Sequence, residues 1–324
     1  MIHRIAKRVA VAAAIGLIGL AAAHGQSFPN RQIKILVSQA AGSGPDTIMR
    51  LYADAISRNI GSRVLVENRT AGGGVVAALG LKQSPPDGYT LLMALTIVHT
   101  ALPEVQKWPF DPIKDFEPIT PLYVSSGVVL VPTSSQARSI KDLAAFAASK
   151  PGGLSYGSPA YGSPAHLMGV LLQDRMGAKM THIPYRGGSA LAMDFLAGQM
   201  DFTILSYVQA KPLLEQQKAR ALAVAGPERL ANLSDVPTLA EAGLAEVAVP
   251  SWFGLVAPKG TPADVVAQLR EEFQKAPGDS FVAERMKDEN LQVLSGTAED
   301  LARMIRSDIE KLVPLLKAHG IKAE

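Results

Sequence analysis

From Ile33 onward the chain alternates short β-branched runs with stretches whose apolar residues recur at helical spacing. Ile33-Lys34-Ile35-Leu36-Val37 reads as a strand, residues 38–45 as a small-residue loop, and residues 46–60 carry Ile48, Leu51, Tyr52, Ala55 and Ile56 on one helical face. The alternation continues with Val64-Leu65-Val66, a helix after Gly72-Gly73-Gly74, and a strand over residues 89–93. A second series starts at Val128-Val129-Leu130-Val131. It runs through helix 140–149, strand 154–156, helix 165–176, strand 181–183, helix 189–197 and strand 200–205. Strands alternating with helices predict an α/β fold in which each of two lobes is a doubly wound, mostly parallel sheet. Two segments punctuated by Pro and Gly, residues 103–121 and 226–250, read as crossings between the lobes. Residues 26–124 plus 226–324 are then expected to form lobe 1 and residues 125–225 lobe 2, with helices near 263–275, 280–290 and 298–316 folding back on lobe 1. Two lobes and two crossings imply a cleft. In open α/β sheets ligands sit outside the carboxyl ends of the strands, which directs attention to the loops that follow them.

Residues 1–25 stand apart from this pattern. Arg4, Lys7 and Arg8 precede an apolar run of about 15 residues, broken by Gly16 and Gly19 and closed by Ala21-Ala22-Ala23, which is short for a spanning helix. It reads as a secretory signal peptide, with the mature protein expected in the periplasm. The leader changes the charge picture. The chain carries +3 overall, but three of its 32 Lys and Arg lie in the leader, and the remaining 29 match the 29 Asp and Glu. A neutral mature chain lacks the basic stripe that a phosphate backbone needs, so no nucleic-acid partner is expected. Hydrophobic residues make up 48% of the chain, enough to bury two cores. The sequence has no cysteine, which excludes disulfides, thiol nucleophiles and Cys-ligated metal centres.

The loop Gln39-Ala40-Ala41-Gly42-Ser43-Gly44-Pro45-Asp46 places two glycines before a helix with Pro in its first turn. Free N–H groups at such a start, together with the helix dipole, favour an anion. Neither the dinucleotide fingerprint nor the nucleotide P-loop is matched there. A second small-residue loop, Tyr161-Gly162-Ser163-Pro164-Ala165-His166, offers Ser163 as a helix cap and is expected to face the first across the cleft. Two such ends would hold a carboxylate without Lys or Arg. Tyr185-Arg186-Gly187-Gly188 is a third candidate wall segment. No His-Glu-x-x-His or paired-histidine metal spacing occurs, Gly187-Gly188-Ser189-Ala190-Leu191 lacks the closing Gly of a nucleophile elbow, and no acid/base pair stands out. No catalytic residue, metal or cofactor is expected.

Several segments in order carry a resemblance: Val66-Glu67-Asn68-Arg69-Thr70-Ala71-Gly72-Gly73, Pro86-Asp87-Gly88-Tyr89-Thr90-Leu91-Leu92, His182-Ile183-Pro184-Tyr185-Arg186-Gly187, Asp235-Val236-Pro237-Thr238-Leu239 and Ser251-Trp252-Phe253-Gly254-Leu255-Val256-Ala257-Pro258. From Phe28 to its end the chain resembles the extracytoplasmic substrate-binding proteins of tripartite tricarboxylate transporters, the Bug family. The resemblance implies a type II periplasmic-binding-protein-like fold, a monomer that closes on a small organic carboxylate, and delivery to membrane permease subunits without catalysis. It also implies ligand-contacting loops at Gln39 to Asp46, at Tyr161 to His166, around Thr96 and His99, and around Leu205 and Tyr207. Where the family has Pro-Pro-Gly-Gly-Gly the chain has Ala40-Ala41-Gly42-Ser43-Gly44, and where many members carry Asp-Asn it has Leu205-Ser206, followed by Tyr207. Losing that acid removes a partner for a ligand ammonium, while Leu205 and Tyr207 offer an apolar or aromatic wall. An amine-free, apolar or aromatic acid is the expected ligand. A carboxylate sensor acting on a signalling partner and an exported α/β hydrolase using a carboxylate or Ser189 are the alternative readings.

Overall fold

A computed structural model describes residues 28–185 and 187–321; the expected leader, residues 1–25, lies outside the described residues. Strand β1 (Ile33–Val37) leads through a loop into helix α1 (Gly44–Ile60), followed by β2 (Val64–Asn68), α2 (Val75–Lys82), β3 (Thr90–Leu95), α3 (Ala101–Gln106) and β4 (Phe116–Ser125). The chain then enters a second sheet with β5 (Gly127–Pro132), α4 (Ile140–Ser149), β6 (Leu154–Ser158), α5 (Pro164–Met176), β7 (Met180–Pro184), α6 (Gly188–Leu196), β8 (Phe202–Ser206), α7 (Tyr207–Glu215) and β9 (Ala219–Ala225). It returns with β10 (Ser251–Pro258), α8 (Ala263–Lys275), α9 (Ser280–Asp288), β11 (Gln292–Val293) and α10 (Ala298–Ala318). Strands such as β1 and β5 are nearly continuous apolar runs because helices cover both faces of each sheet.

The first sheet has the order β11-β4-β10-β3-β1-β2 and the second β7-β6-β8-β5-β9. Both are mixed, which corrects the expectation of mostly parallel sheets. In the first, β1 runs parallel to β2 and β3, while β10 runs antiparallel to β3 and β4 and β11 antiparallel to β4. In the second, β6 runs parallel to β7 and β8, whereas β5 is antiparallel to β8 and β9. The physical reason is the crossing itself. A strand that arrives from the other lobe starts at the cleft edge, where the resident strands end, so β10 and β5 must run against their neighbours.

The first crossing is also shorter than its proline content suggested. Residues 103–106 belong to α3 and 116–121 to β4, with a turn between them, and the chain changes sheets within Ser125-Ser126-Gly127. Pro118 and Pro121 sit within β4, where its pairing with β10 shifts register, and β11 covers only Tyr123 and Val124 on the other side. Proline is tolerated there because no ladder partner needs its missing N–H. Residues 226–249, expected in lobe 1, instead lie against the second sheet. The N–H of Val224 donates to the Pro237 carbonyl at 2.9 Å, and that of Leu239 to the Val224 carbonyl at 2.9 Å. This segment satisfies the outer edge of β9, which would otherwise be an open template.

Four apolar clusters fill the two faces of the two sheets. Helix α10, capped by a reciprocal Thr297–Asp300 box, joins two of them. Its Leu301 and Ile305 belong to a cluster on the first sheet, while Leu312 and Leu316 belong to the cluster that also holds Leu154 and Phe202 of the second sheet. Between these halves, Asp308 accepts hydrogen bonds from Trp252 Nε1 at 2.9 Å and Thr100 Oγ1 at 3.3 Å. Burial pushes its carboxyl up to about 6 against these bonds, from an ordinary 3.8. The folded state therefore holds this proton more tightly than the unfolded chain. The stabilisation is complete below about 3.8 and is lost as pH rises through about 6. Asp308→Asn keeps an acceptor for Trp252 and cannot ionise. Thermal melts should show the variant more stable than the parent at about pH 7.5, by up to roughly 3 kcal/mol, and nearly equal to it at about pH 4. No gain at the higher pH would mean that Trp252 and Thr100 fully compensate the buried charge.

Candidate ligand-binding site

The two loops singled out in the sequence fold alike. Gly42 and Gly162 adopt left-handed φ values of 78° and 73°, the conformation that favours glycine. One residue later, Ser43 and Ser163 occupy the N-cap positions of α1 and α5 with φ/ψ of −68°/160° and −72°/162°. The Ser43 N–H donates to the Ala40 carbonyl at 3.1 Å and the Ser163 N–H to that of Ala160 at 3.2 Å. A side chain four residues beyond each glycine holds its turn. Gly42 N–H donates to Asp46 Oδ2 at 2.8 Å, and Gly162 N–H to His166 Nδ1 at 3.0 Å. The loops differ in their hydroxyls. Ser163 Oγ accepts from His166 N–H at 3.3 Å, whereas Ser43 Oγ makes no cap bond and is buried without a partner.

Both loops border a cavity of about 930 Å³ between the lobes. Gln39, Ala40, Ser43 and Gly44 contribute one wall, and Tyr161, Ser163, Ala165 and Leu205 the facing one. The N–H groups of a helix's first turn have no intrahelical acceptor, although Pro45 and Pro164 have none to give. Two positive helix ends thus converge on one space. Tyr185, Gly187 and Gly188, the third segment named from sequence, also line it. Among the described lining residues Glu289 is the one charged group.

The other expected site residues do not line the cavity. Ala41 and Gly42 are exposed on the outer side of the first loop. Asp46 is buried beneath it, accepting from Arg50 Nε at 3.0 Å and Asn68 Nδ2 at 2.7 Å as well as from Gly42. Burial raises its carboxyl, but the bonds from Arg50, Asn68 and Gly42 outweigh this and leave its pKa lowered. Thr96 ties β3 to β10 by accepting from Trp252 N–H at 2.9 Å. His99 Nδ1 accepts from Leu95 N–H at 3.2 Å, and full burial pushes the imidazole down to about 4. Ile97 between them is left-handed, with φ of 68°, so the run turns there and Leu95 and Val98 face the cavity instead. Gly162 and His166 maintain the second loop. The His166 ring stacks on His182 at 3.7 Å, and burial lowers the two to about 3 and about 4, keeping both neutral. The expected aromatic wall at Tyr207 is absent. Tyr207 opens α7 and its ring is buried with Leu191, Phe195 and Leu213 in the core of the second lobe, leaving Leu205 to line the cleft.

Sequence reasoning missed lining residues from three places. Thr70, Gly72 and Gly73 come from the turn after β2, which hydrophobic pattern does not single out. Tyr123, Ser125, Ser251 and Phe253 come from the crossing strands, whose role depends on the strand order. Glu289 and Leu291 follow α9, remote in sequence from every loop considered. Ser158 Oγ lies 2.7 Å from His182 Nε2, but Ser158 is fully buried and the cavity does not reach it. Among the described residues no group of His, Asp and Glu could hold a metal ion.

Residues 48–321 match the family described as the tripartite tricarboxylate transporter family receptor, TctC. A Pseudomonas sp. protein, "UPF0065 protein in tcbD-tcbE intergenic region", is 34% identical over 92% of this chain and 89% of its own. The solved structure of the periplasmic binding protein BugD superposes with a TM-score of 0.81 at 28% identity, covering 92% of this chain and all of that one. An R. palustris protein, Rpa4515, solved with adipate, gives 0.82 at 29% identity over 91% of this chain and 99% of its own. Extent and identity together place the chain in the TctC family of tripartite tricarboxylate transporter receptors, with the two-lobed fold of the Bug binding proteins.

Proposed function

We propose that the chain is a periplasmic solute-binding protein that holds a small, amine-free organic acid between its lobes and passes it to the membrane permease subunits of a tripartite transporter. One observation carries this reading: two helix ends with serine at the N-cap position face one cavity whose described walls contain no Lys, Arg or His. Such a site neutralises a carboxylate through N–H groups, hydroxyls and helix dipoles, and an uncharged acid gains little from it. The adipate complex of Rpa4515 supports the ligand class, and the family supports transport over catalysis. Leu205, Leu95, Val98 and Phe253 favour an apolar body behind the acid group. Among the described residues no helix is long and apolar enough to cross a membrane, so the permease is a separate chain in this reading.

A melting screen of signal-less protein against amino acids, aliphatic di- and tricarboxylates and aromatic acids tests the proposal. A ligand at about a hundredfold its Kd should add roughly 2.7 kcal/mol, a rise of about 5–10 °C at about 2–4 °C per kcal/mol. The rise should be confined to amine-free acids; a larger response to aspartate or glutamate would exclude that ligand class. Ser43→Ala removes a hydroxyl that caps nothing, so it should leave the unliganded melting point within about 1 °C and weaken acid binding roughly tenfold or more. Unchanged affinity would remove the first loop from the site. Solution scattering should record a smaller radius of gyration with saturating acid, as hinge closure requires. Identical profiles would mean that the acid enters a preformed cleft.

A further inference from the structure

On the first lobe's side of the cavity a second polar group faces the ligand space. Glu289 follows α9, which packs on α1, and it borders the cavity together with Ile48, Leu291 and Tyr123. The residue is 4% exposed; its Oε1 is held by Arg285 Nε, while Oε2 has no hydrogen-bond partner among the described residues. Tyr123, 1% exposed, lines the same region and its hydroxyl is equally without a partner. Burial raises the acid of both, and Glu289 is among the charges that raise Tyr123, so the groups share one neighbourhood. A buried polar oxygen left without a partner is destabilising. Two of them on one cavity wall are a built feature that the helix-end reading does not use.

We infer that Glu289, with Tyr123 beside it, forms a second subsite that accepts a hydrogen bond from a neutral donor, a hydroxyl carried by the acid at a distance from its carboxylate. The inference rests on the acid-binding reading above and adds the ligand's other end. A neutral donor fits better than an ammonium because Arg285 already forms an ion pair with Glu289, and Lys211 on α7 adds positive potential there. A further cation would meet a charge that is already matched, whereas a hydroxyl needs only the free lone pairs. A second carboxylate would be repelled. The ligand class is therefore a hydroxy acid with an apolar middle lying along Leu205, Phe253 and Leu291.

Calorimetric titration with two series tests this: hexanoate with its terminal hydroxyl and terminal amino derivatives, and phenylacetate with its para-hydroxyl and para-aminomethyl derivatives. The hydroxyl member of at least one series should bind about tenfold tighter than its parent acid. Glu289→Met should reduce that preference to below about threefold while leaving the parent acid's affinity unchanged, and Glu289→Gln, which keeps an acceptor, should retain part of it. Ser43→Ala should weaken every member by the same factor. If hydroxyl and parent bind equally, the subsite is overturned while the carboxylate site stands. Tighter binding of the amino members overturns the neutral-donor assignment. Binding of no member overturns the acid-binding reading and the subsite with it. Circular dichroism melts show whether Glu289→Met folds; if it does not, the parent-to-hydroxyl ratio in the native protein decides.

Discussion

The cleft is organised by one constraint: the chain changes sheets where Ser251 of the returning strand pairs with Ser125 of the departing one, and where Gly127 pairs with both Ser206 and Ala225. Because the crossing strands enter at the edge where the resident strands finish, the carboxyl ends of β1, β3, β6 and β8 all open toward the same gap. Their following loops must then face one another. The two helix starts with Ser43 and Ser163 at their N-caps converge for this reason. Helix α10 supports the arrangement by placing residues of its first half in a cluster on the first sheet and residues of its second half in the cluster that includes the second sheet's Leu154 and Phe202.

The electrostatics of the site follow from what surrounds it rather than from charged side chains within it. Asp46, His99 and His166 are expected ligand contacts from the resemblance, yet each is spent on holding a turn or filling a core. Asp46 is matched by Arg50 and Asn68, and the imidazoles of His99, His166 and His182 are kept neutral by burial. With these groups silent, N–H groups and helix ends set the potential of the two facing walls. Such a field selects negative ligands but leaves the shape of the apolar walls and any additional polar contact to decide among them. Ser43 differs from its counterpart in this respect. Its hydroxyl is released from capping, since the first turn of α1 is held by Asp46 alone, whereas Ser163 is committed to the His166 N–H.

The α/β alternation and the two helix starts were legible in the sequence. Helix 140–149 is observed as Ile140–Ser149, and the helix predicted over residues 165–176 as Pro164–Met176, because caps and apolar periodicity act within a few residues of each other. Strand direction was not legible. Parallel and antiparallel strands with both faces covered carry the same apolar run, so β5 and β10 gave no sign that they run against their neighbours. The prolines at 118 and 121 misled for a related reason, since a strand edge tolerates what a strand centre does not, and only the sheet order says which is which.

What the sequence determined on its own is local: glycine conformations, helix caps, apolar faces and the absence of thiol chemistry depend on neighbours a few positions away. The tertiary structure decided which of those residues share a cavity. A change of one residue in register or a single left-handed residue such as Ile97 exchanges the side chains that face the cleft for those that face the core, as it does for Thr96 and His99. Glu289 reaches the site only because α9 packs on α1, a contact between segments more than two hundred residues apart. No spacing along the chain encodes that distance, and it is set by the packing of the two helices on the first sheet.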